Sequence, residues 1–127
     1  MERIKIEAHG LGEITFKKTG NRYIGLFQNN KMHGEDGTFE YAEGQGGTRK
    51  STSVRVSYKG DFKDGEPDDA DATISYKGGA YYRGCVCSGQ RSGKGFMTYA
   101  VGVEYNGGFL HDQKNGEAVM TSPEGEF

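Results

Sequence analysis

The sequence has no tryptophan, two prolines, two cysteines and three histidines in 127 residues. Leucine, isoleucine, valine and phenylalanine are also scarce, at 21 together. That is below the share of about one-fifth needed for an ordinary layered core. Each shortage excludes something. Cys85 and Cys87 are one residue apart, and on an extended strand they share a face at a separation too great for an easy disulfide. A disulfide framework is therefore excluded, and a reducing compartment fits. Neither a second cysteine pair nor a histidine cluster completes a metal site. No run of about 18 apolar residues is present to cross a membrane as a helix, and the opening "MERIKIEAHG" lacks the apolar stretch of a secretory signal. With 16 basic and 18 acidic residues the net charge is −2, which gives no general attraction to nucleic acid or to an anionic membrane. The expectation is a soluble cytoplasmic protein that needs no cofactor.

What the chain does have is glycine, at 22 residues, with eight tyrosines and seven phenylalanines. So many aromatics on a nearly neutral chain argue against disorder. Their spacing shows how they are organised. From Tyr82, glycines follow at Gly84, Gly89, Gly93 and Gly95, then come Tyr99 and Gly102. The stretch from Tyr105 repeats that register with Gly107, Phe109, Gly116, Ala118 and Gly125. Upstream, "YKGDF" (Tyr58, Gly60, Phe62) leads to Gly65, to "ADATISY" with Ala70 and Ala72 in glycine positions, and to Gly78. "YIGLF" (Tyr23, Gly25, Phe27) leads to "MHGEDGTFEYAEG". A partial first copy survives as "HGLGEITF" followed by Gly20. The expected division is one domain, 1–127, of five units at 1–22, 23–57, 58–81, 82–104 and 105–127, with an insertion at 46–57.

This pattern resembles the MORN (membrane occupation and recognition nexus) repeat, which runs approximately YxGxFxxGxxHGxGxxxYxxG. The resemblance extends over nearly all of the chain. Departures are Val86 in place of the aromatic, Ser122 in place of the second-strand tyrosine, and Asp112 in place of a loop glycine.

In each unit the Tyr, the Gly two on and the Phe four on point to one face of a strand. After a glycine-containing loop, Phe39 and Tyr41, Ile74 and Tyr76, or Met97 and Tyr99 do the same on a second strand. The unit is thus a β-hairpin. A lone hairpin is marginal in water, so an all-β, elongated, twisted antiparallel array of about five stacked hairpins is expected, with little helix. Gly84 and Gly107 are expected to make room for neighbouring rings. "TSVRVSYKGDF" places Val54, Val56, Tyr58, Gly60 and Phe62 on one side, with Arg55 and Lys59 on the other, so the insertion is expected to lengthen a strand.

Candidate chemistry is sparse. "GQRSGKGF", at 89–96, lacks the strand, the GxxxxGK[ST] order and the helix of a phosphate-binding loop, and a hairpin loop accounts for it. The acidic "DGEPDDAD", at 64–71, does not follow the EF-hand order, so a solvated loop is expected, with a negative field able to select a basic partner. His9 and His33 precede repeat glycines and suit loop hydrogen bonds, and neither forms a shared site with His111. Spacing assembles no Ser/His/Asp arrangement, so no catalysis is expected. Arg49, Lys50, Arg55 and Lys59 form the basic cluster, either solvated or a stripe for anionic lipid headgroups or an acidic protein segment.

The resemblance implies a scaffold or targeting segment, with partners that are proteins, cytoskeletal structures, membranes or attached catalytic domains. The expected function is a non-catalytic protein-interaction scaffold that does not bind nucleic acid. The alternatives are peripheral docking on anionic phospholipid (phosphoinositide), and a regulatory fragment or subunit of an enzyme. The C-terminal hairpin, 116–127, is an expected edge for a homodimer or a partner strand.

Overall fold

Two-residue turns set the architecture. At Asn29–Asn30, Asp64–Gly65, Ser88–Gly89 and His111–Asp112 both residues have positive φ, from 49° to 89°. Turns of this kind match the right-handed twist of flanking strands and close tight hairpins, and Asn, Asp and Gly tolerate that backbone best. The structure, a computed structural model, describes residues 5–6, 10–42, 54–99 and 101–126, and 72% of them lie in strands. The strands are β1 (Lys5–Ile6), β2 (Leu11–Thr15), β3 (Arg22–Gln28), β4 (Lys31–Met32), β5 (Gly34–Glu40), β6 (Arg55–Lys63), β7 (Glu66–Pro67), β8 (Asp69–Tyr76), β9 (Tyr81–Cys87), β10 (Gln90–Thr98), β11 (Glu104–Leu110), β12 (Gln113–Ser122) and β13 (Gly125–Glu126).

They form one open antiparallel sheet in chain order, β1-β2-β3-β5-β6-β8-β9-β10-β11-β12-β13, with β4 beside β3 and β7 beside β6. The all-β stacked-hairpin expectation holds. Register puts Ile14, Tyr23, Phe39, Tyr58, Ile74, Tyr82, Met97, Tyr105 and Met120 opposite one another in a single row across the sheet. Tyr23, Tyr58, Ile74 and Tyr82 in that row are fully buried. The alternation of a repeat-leading tyrosine with a second-strand apolar residue is the core. On the opposite face the next row includes Ile24, Thr38, Lys59, Thr73, Arg83, Phe96, Asn106 and Val119.

Strict alternation fails at the start of β6. Arg55 pairs with Tyr76 but Ser57 pairs with Ser75, so Val56 is the extra residue of a bulge. A bulge reverses the parity of everything before it. Val56 is 47% exposed, contrary to its expected place beside Tyr58, and Arg55 lies on the core side. The described chain resumes at Val54, whose carbonyl accepts from Lys77 N–H at 2.8 Å. Residues 43–53, most of the insertion, lie outside the described set.

Candidate interaction surface

One contact recurs in each tyrosine-led hairpin. The hydroxyls of Tyr23, Tyr58, Tyr82 and Tyr105 each donate to the carbonyl three residues on (Leu26, Asp61, Cys85 and Gly108), all at 2.7 Å. To reach it the ring bends along its own strand and passes over the residue two on. A Cβ at Gly25, Gly60 or Gly84 would meet its own tyrosine, at 2.7 Å from Tyr23 Cζ, 2.8 Å from Tyr58 Oη and 2.8 Å from Tyr82 Oη. Gly107 differs: the space is taken by Ala118 on the neighbouring strand, with its Cα at 2.8 Å, not by a ring as expected. Burial pushes the Tyr23 phenol up to about 12 and raises Tyr58 and Tyr82 as well, so these hydroxyls remain donors.

The residue four after each tyrosine completes an edge-to-face aromatic chain. Tyr23–Phe27, Tyr58–Phe62 and Tyr105–Phe109 have centroids 5.2 Å apart, and the links between hairpins, Tyr23–Phe62 and Tyr82–Phe109, are 4.8 and 5.1 Å. Val86 interrupts it. Directly across the turn from Phe27, Phe62, Val86 and Phe109 stand Met32, Pro67, Arg91 and Lys114. The hairpin tips are tied in sequence through the same positions. Gly65 N–H donates to Met32 O, Gly89 N–H to Pro67 O and Asp112 N–H to Arg91 O, at 2.8 to 3.0 Å.

Where the aromatic is missing, a cation takes its place. The Arg91 guanidinium lies 5.0 Å from the Phe109 centroid, 5.8 Å from Tyr76 and 5.9 Å from Tyr82. Asp112 Oδ1 accepts from Arg91 Nε at 2.7 Å, from Arg91 N–H at 3.1 Å and from Arg55 Nη2 at 3.0 Å. Arg55 Nη1 also donates to Gly89 O at 2.8 Å. Burial alone would raise the Asp112 carboxyl, but the Arg91 hydrogen bonds and the Arg55 charge outweigh it and hold the pKa below the usual value. Burial opposes the charge on Arg55, yet the Asp112 carboxylate, with smaller contributions from Tyr41 and Tyr76, holds its pKa above the ordinary value. The side chains of Arg55 and Arg91 are 12% and 18% exposed. Two departures from the repeat, Val86 opposite Arg91 and Asp112 as its acceptor, therefore come together at one ion network, Arg55–Asp112–Arg91, that sequence reasoning missed. The signal was the residue nine after each tyrosine, read in parallel.

The basic cluster is not one surface. Arg55 is committed on the inner face and Lys59 stands on the outer one, while Arg49 and Lys50 lie outside the described residues. The acidic loop serves backbone ends. Asp69 accepts from Asp61 N–H and Asp71 N–H, both at 2.9 Å, and Asp71 pairs with Arg83. Among the described residues no group of three or more His, Cys, Asp or Glu is placed to hold a metal ion, and no helix is long and apolar enough to cross a membrane. His33 Nδ1 accepts from Asp64 N–H at 3.2 Å, a loop bond of the expected kind. His9 lies outside the described residues.

Toward the N-terminal end, the inner face opens into a cavity of about 460 Å³. Its apolar lining comes mainly from Phe16, Met32, Phe39, Tyr41 and Pro67, with Lys18 at its edge. Asn21 Oδ1 accepts from Ala42 N–H at 2.8 Å and fixes the chain beside Tyr41. Tyr99 occupies the equivalent region at the other end, where Lys114 Nζ covers it at 4.9 Å and Tyr105 at 5.0 Å. Compared with protein families, the chain matches the MORN repeat at residues 23–46, 58–68, 82–103 and 105–127. Compared with curated proteins, it finds no match.

Proposed function

Because this chain belongs to the MORN repeat family, a class of membrane- and protein-interaction modules, we propose that it is a non-catalytic scaffold or targeting module that binds other proteins in the cytoplasm. The observation that carries this reading is the inner aromatic face. It is sealed by the chain's own cations at one end and open over Phe16, Phe39 and Tyr41 at the other. Exposed apolar concavities rimmed by polar groups are where soluble proteins meet partners. Docking on anionic phospholipid through the basic cluster is the competing reading, and the commitment of Arg55 to Asp112 weighs against it. Affinity capture with cross-linking, run beside flotation on phosphatidylcholine vesicles with and without phosphoinositide, separates the two. A saturable protein complex without vesicle binding supports the scaffold. Vesicle binding without a protein partner overturns it.

A second reading is favoured by the edge of the sheet. β13 covers β12 only at Thr121 and Ser122, so Gln113–Met120 have no outer strand among the described residues. An open edge of this kind accepts a strand from a second copy or from a partner. Light scattering on the wild type and on Met120→Lys tests it. A dimer lost in the variant is the expected result, and a wild type that stays monomeric at high concentration refutes it.

A further inference from the structure

The four residues that stand across the turns from Phe27, Phe62, Val86 and Phe109, namely Met32, Pro67, Arg91 and Lys114, divide the inner face in two. In the C-terminal half, Arg91 and Lys114 lie over the rings at 4.9 to 5.9 Å and close the surface. In the N-terminal half the same position carries Met32 and Pro67, which bring no cation over the neighbouring rings, and both line the 460 Å³ groove. Such a volume lies within the range of about 300–1,000 Å³ typical of ligand pockets.

Charge decides what fits. Arg91 is balanced over its rings by Asp112, whereas among the described residues no carboxylate lines the groove and Lys18, exposed on the β2–β3 turn, is the charged one that does. A cationic occupant would be unbalanced, and an apolar group with a carboxylate beside it is complementary. The composition of residues 43–53 offers no such group. Residues 43–53, "EGQGGTRKSTS", contain no large apolar side chain, and their two basic residues against one acidic residue add positive charge after Tyr41 and Ala42. The site is concave, so a membrane, which is entered by protruding side chains, fits it poorly. A short segment of a partner fits well.

We propose that the groove over Phe16, Phe39 and Tyr41 seats a large apolar side chain of a partner protein's segment, with a neighbouring Asp or Glu of that segment paired to Lys18. This rests on the interaction-module reading above and specifies its site. The probe is a random peptide display library, selected on the full chain and then measured against three variants. Met32→Lys copies into this half the residue that Lys114 supplies in the other. Lys18→Glu reverses the rim charge on an exposed turn and leaves the core intact. Gln90→Ala, at a distant tip, is the control. The expected result is enrichment of peptides with Leu, Phe or Trp beside Asp or Glu. Their affinity should fall by at least about tenfold in Met32→Lys and by about three- to tenfold, with salt dependence, in Lys18→Glu. Gln90→Ala should not change it. Enrichment of basic peptides, peptides indifferent to both groove variants, or no enrichment overturns the proposal. So does vesicle binding that competes with the selected peptides. If a cellular partner binds wild type and both groove variants equally, the scaffold reading stands and the groove assignment falls.

Discussion

Gly95→Ala isolates the space requirement of the array from backbone effects. Gly95 is in the centre of β10, between Gly84 and Gly107, and its φ is not positive, so alanine is conformationally allowed there. Through the unfolded state alone, alanine should add about 0.4–1 kcal/mol of stability. The added methyl, however, would stand 2.5 Å from Tyr82 Oη and 2.7 Å from Cζ. That ring is held in place: it is fully buried, its hydroxyl is bonded to Cys85 O at 2.7 Å, and its edge meets Phe109 at 5.1 Å. Overpacking costs about 1–3 kcal/mol, and the displaced hydroxyl bond about 1 kcal/mol more. Allowing for the backbone gain, a net loss of about 1–3.5 kcal/mol is expected, equivalent to roughly 4–14 °C for a chain of this size. Tyr82→Leu alone should cost about 2–4 kcal/mol. Leucine no longer reaches position 95, so the double variant should recover about 2 kcal/mol against the sum of the singles. The chain lacks tryptophan, so urea unfolding of all four proteins is followed by far-ultraviolet circular dichroism. Additivity within about 0.5 kcal/mol would refute the ring-over-glycine account.

Three further outcomes are expected. Asp112→Ala leaves Arg55 and Arg91 facing each other. Breaking a buried pair costs about 3–5 kcal/mol, which the 38% exposure of Asp112 reduces to about 2 kcal/mol. Because the folded carboxyl is held below its unfolded value of about 3.9, its contribution is present above that pH and lost as pH falls. The melting gap between wild type and variant should therefore hold from pH 7 to about pH 4 and narrow as pH falls further, and a gap that acid does not narrow contradicts the network. At the alkaline end the sign reverses: unfolded tyrosine ionises near pH 10, folded Tyr23 at about 12, so stability is full below about pH 10 and falls as pH rises beyond it. Tyrosinate absorbance should appear together with loss of dichroism; early ionisation of all tyrosines in a folded chain would contradict the burial. Gly107→Val should lower the melting temperature through Ala118 while Gln90→Ala leaves it within about 2 °C, and equal melting of the two would remove the close approach at Gly107.

The fold was legible because its signals are local. Tyr-x-Gly-x-Phe fixes a strand face, and positive-φ turn residues recur at one offset, so the sheet order follows the chain. The site was less legible because it depends on side chains that meet across hairpins. Alternation placed Arg55 outward beside Lys59, but a single extra residue at Val56 turned it inward to Asp112, and nothing in "SVRVSY" marks which residue bulges. The repeat pattern assigns Gly107 to a ring like its counterparts Gly25, Gly60 and Gly84; the small cross-strand partner, Ala118, decides otherwise. The groove arises from what Met32 and Pro67 fail to cover, a comparison possible only once Arg91 and Lys114 are seen lying on their rings.

The central claim is that the inner aromatic face, where its own cations leave it open, is the surface by which this protein binds others. Amide hydrogen exchange on the full chain, alone and saturated with a cross-link-validated partner, tests it most directly. The account predicts new protection in residues 16–41 and 62–67, with β10 to β12 unchanged. Protection confined to the outer-face row through Lys59 and Arg83, or absent from 16–41, would contradict it.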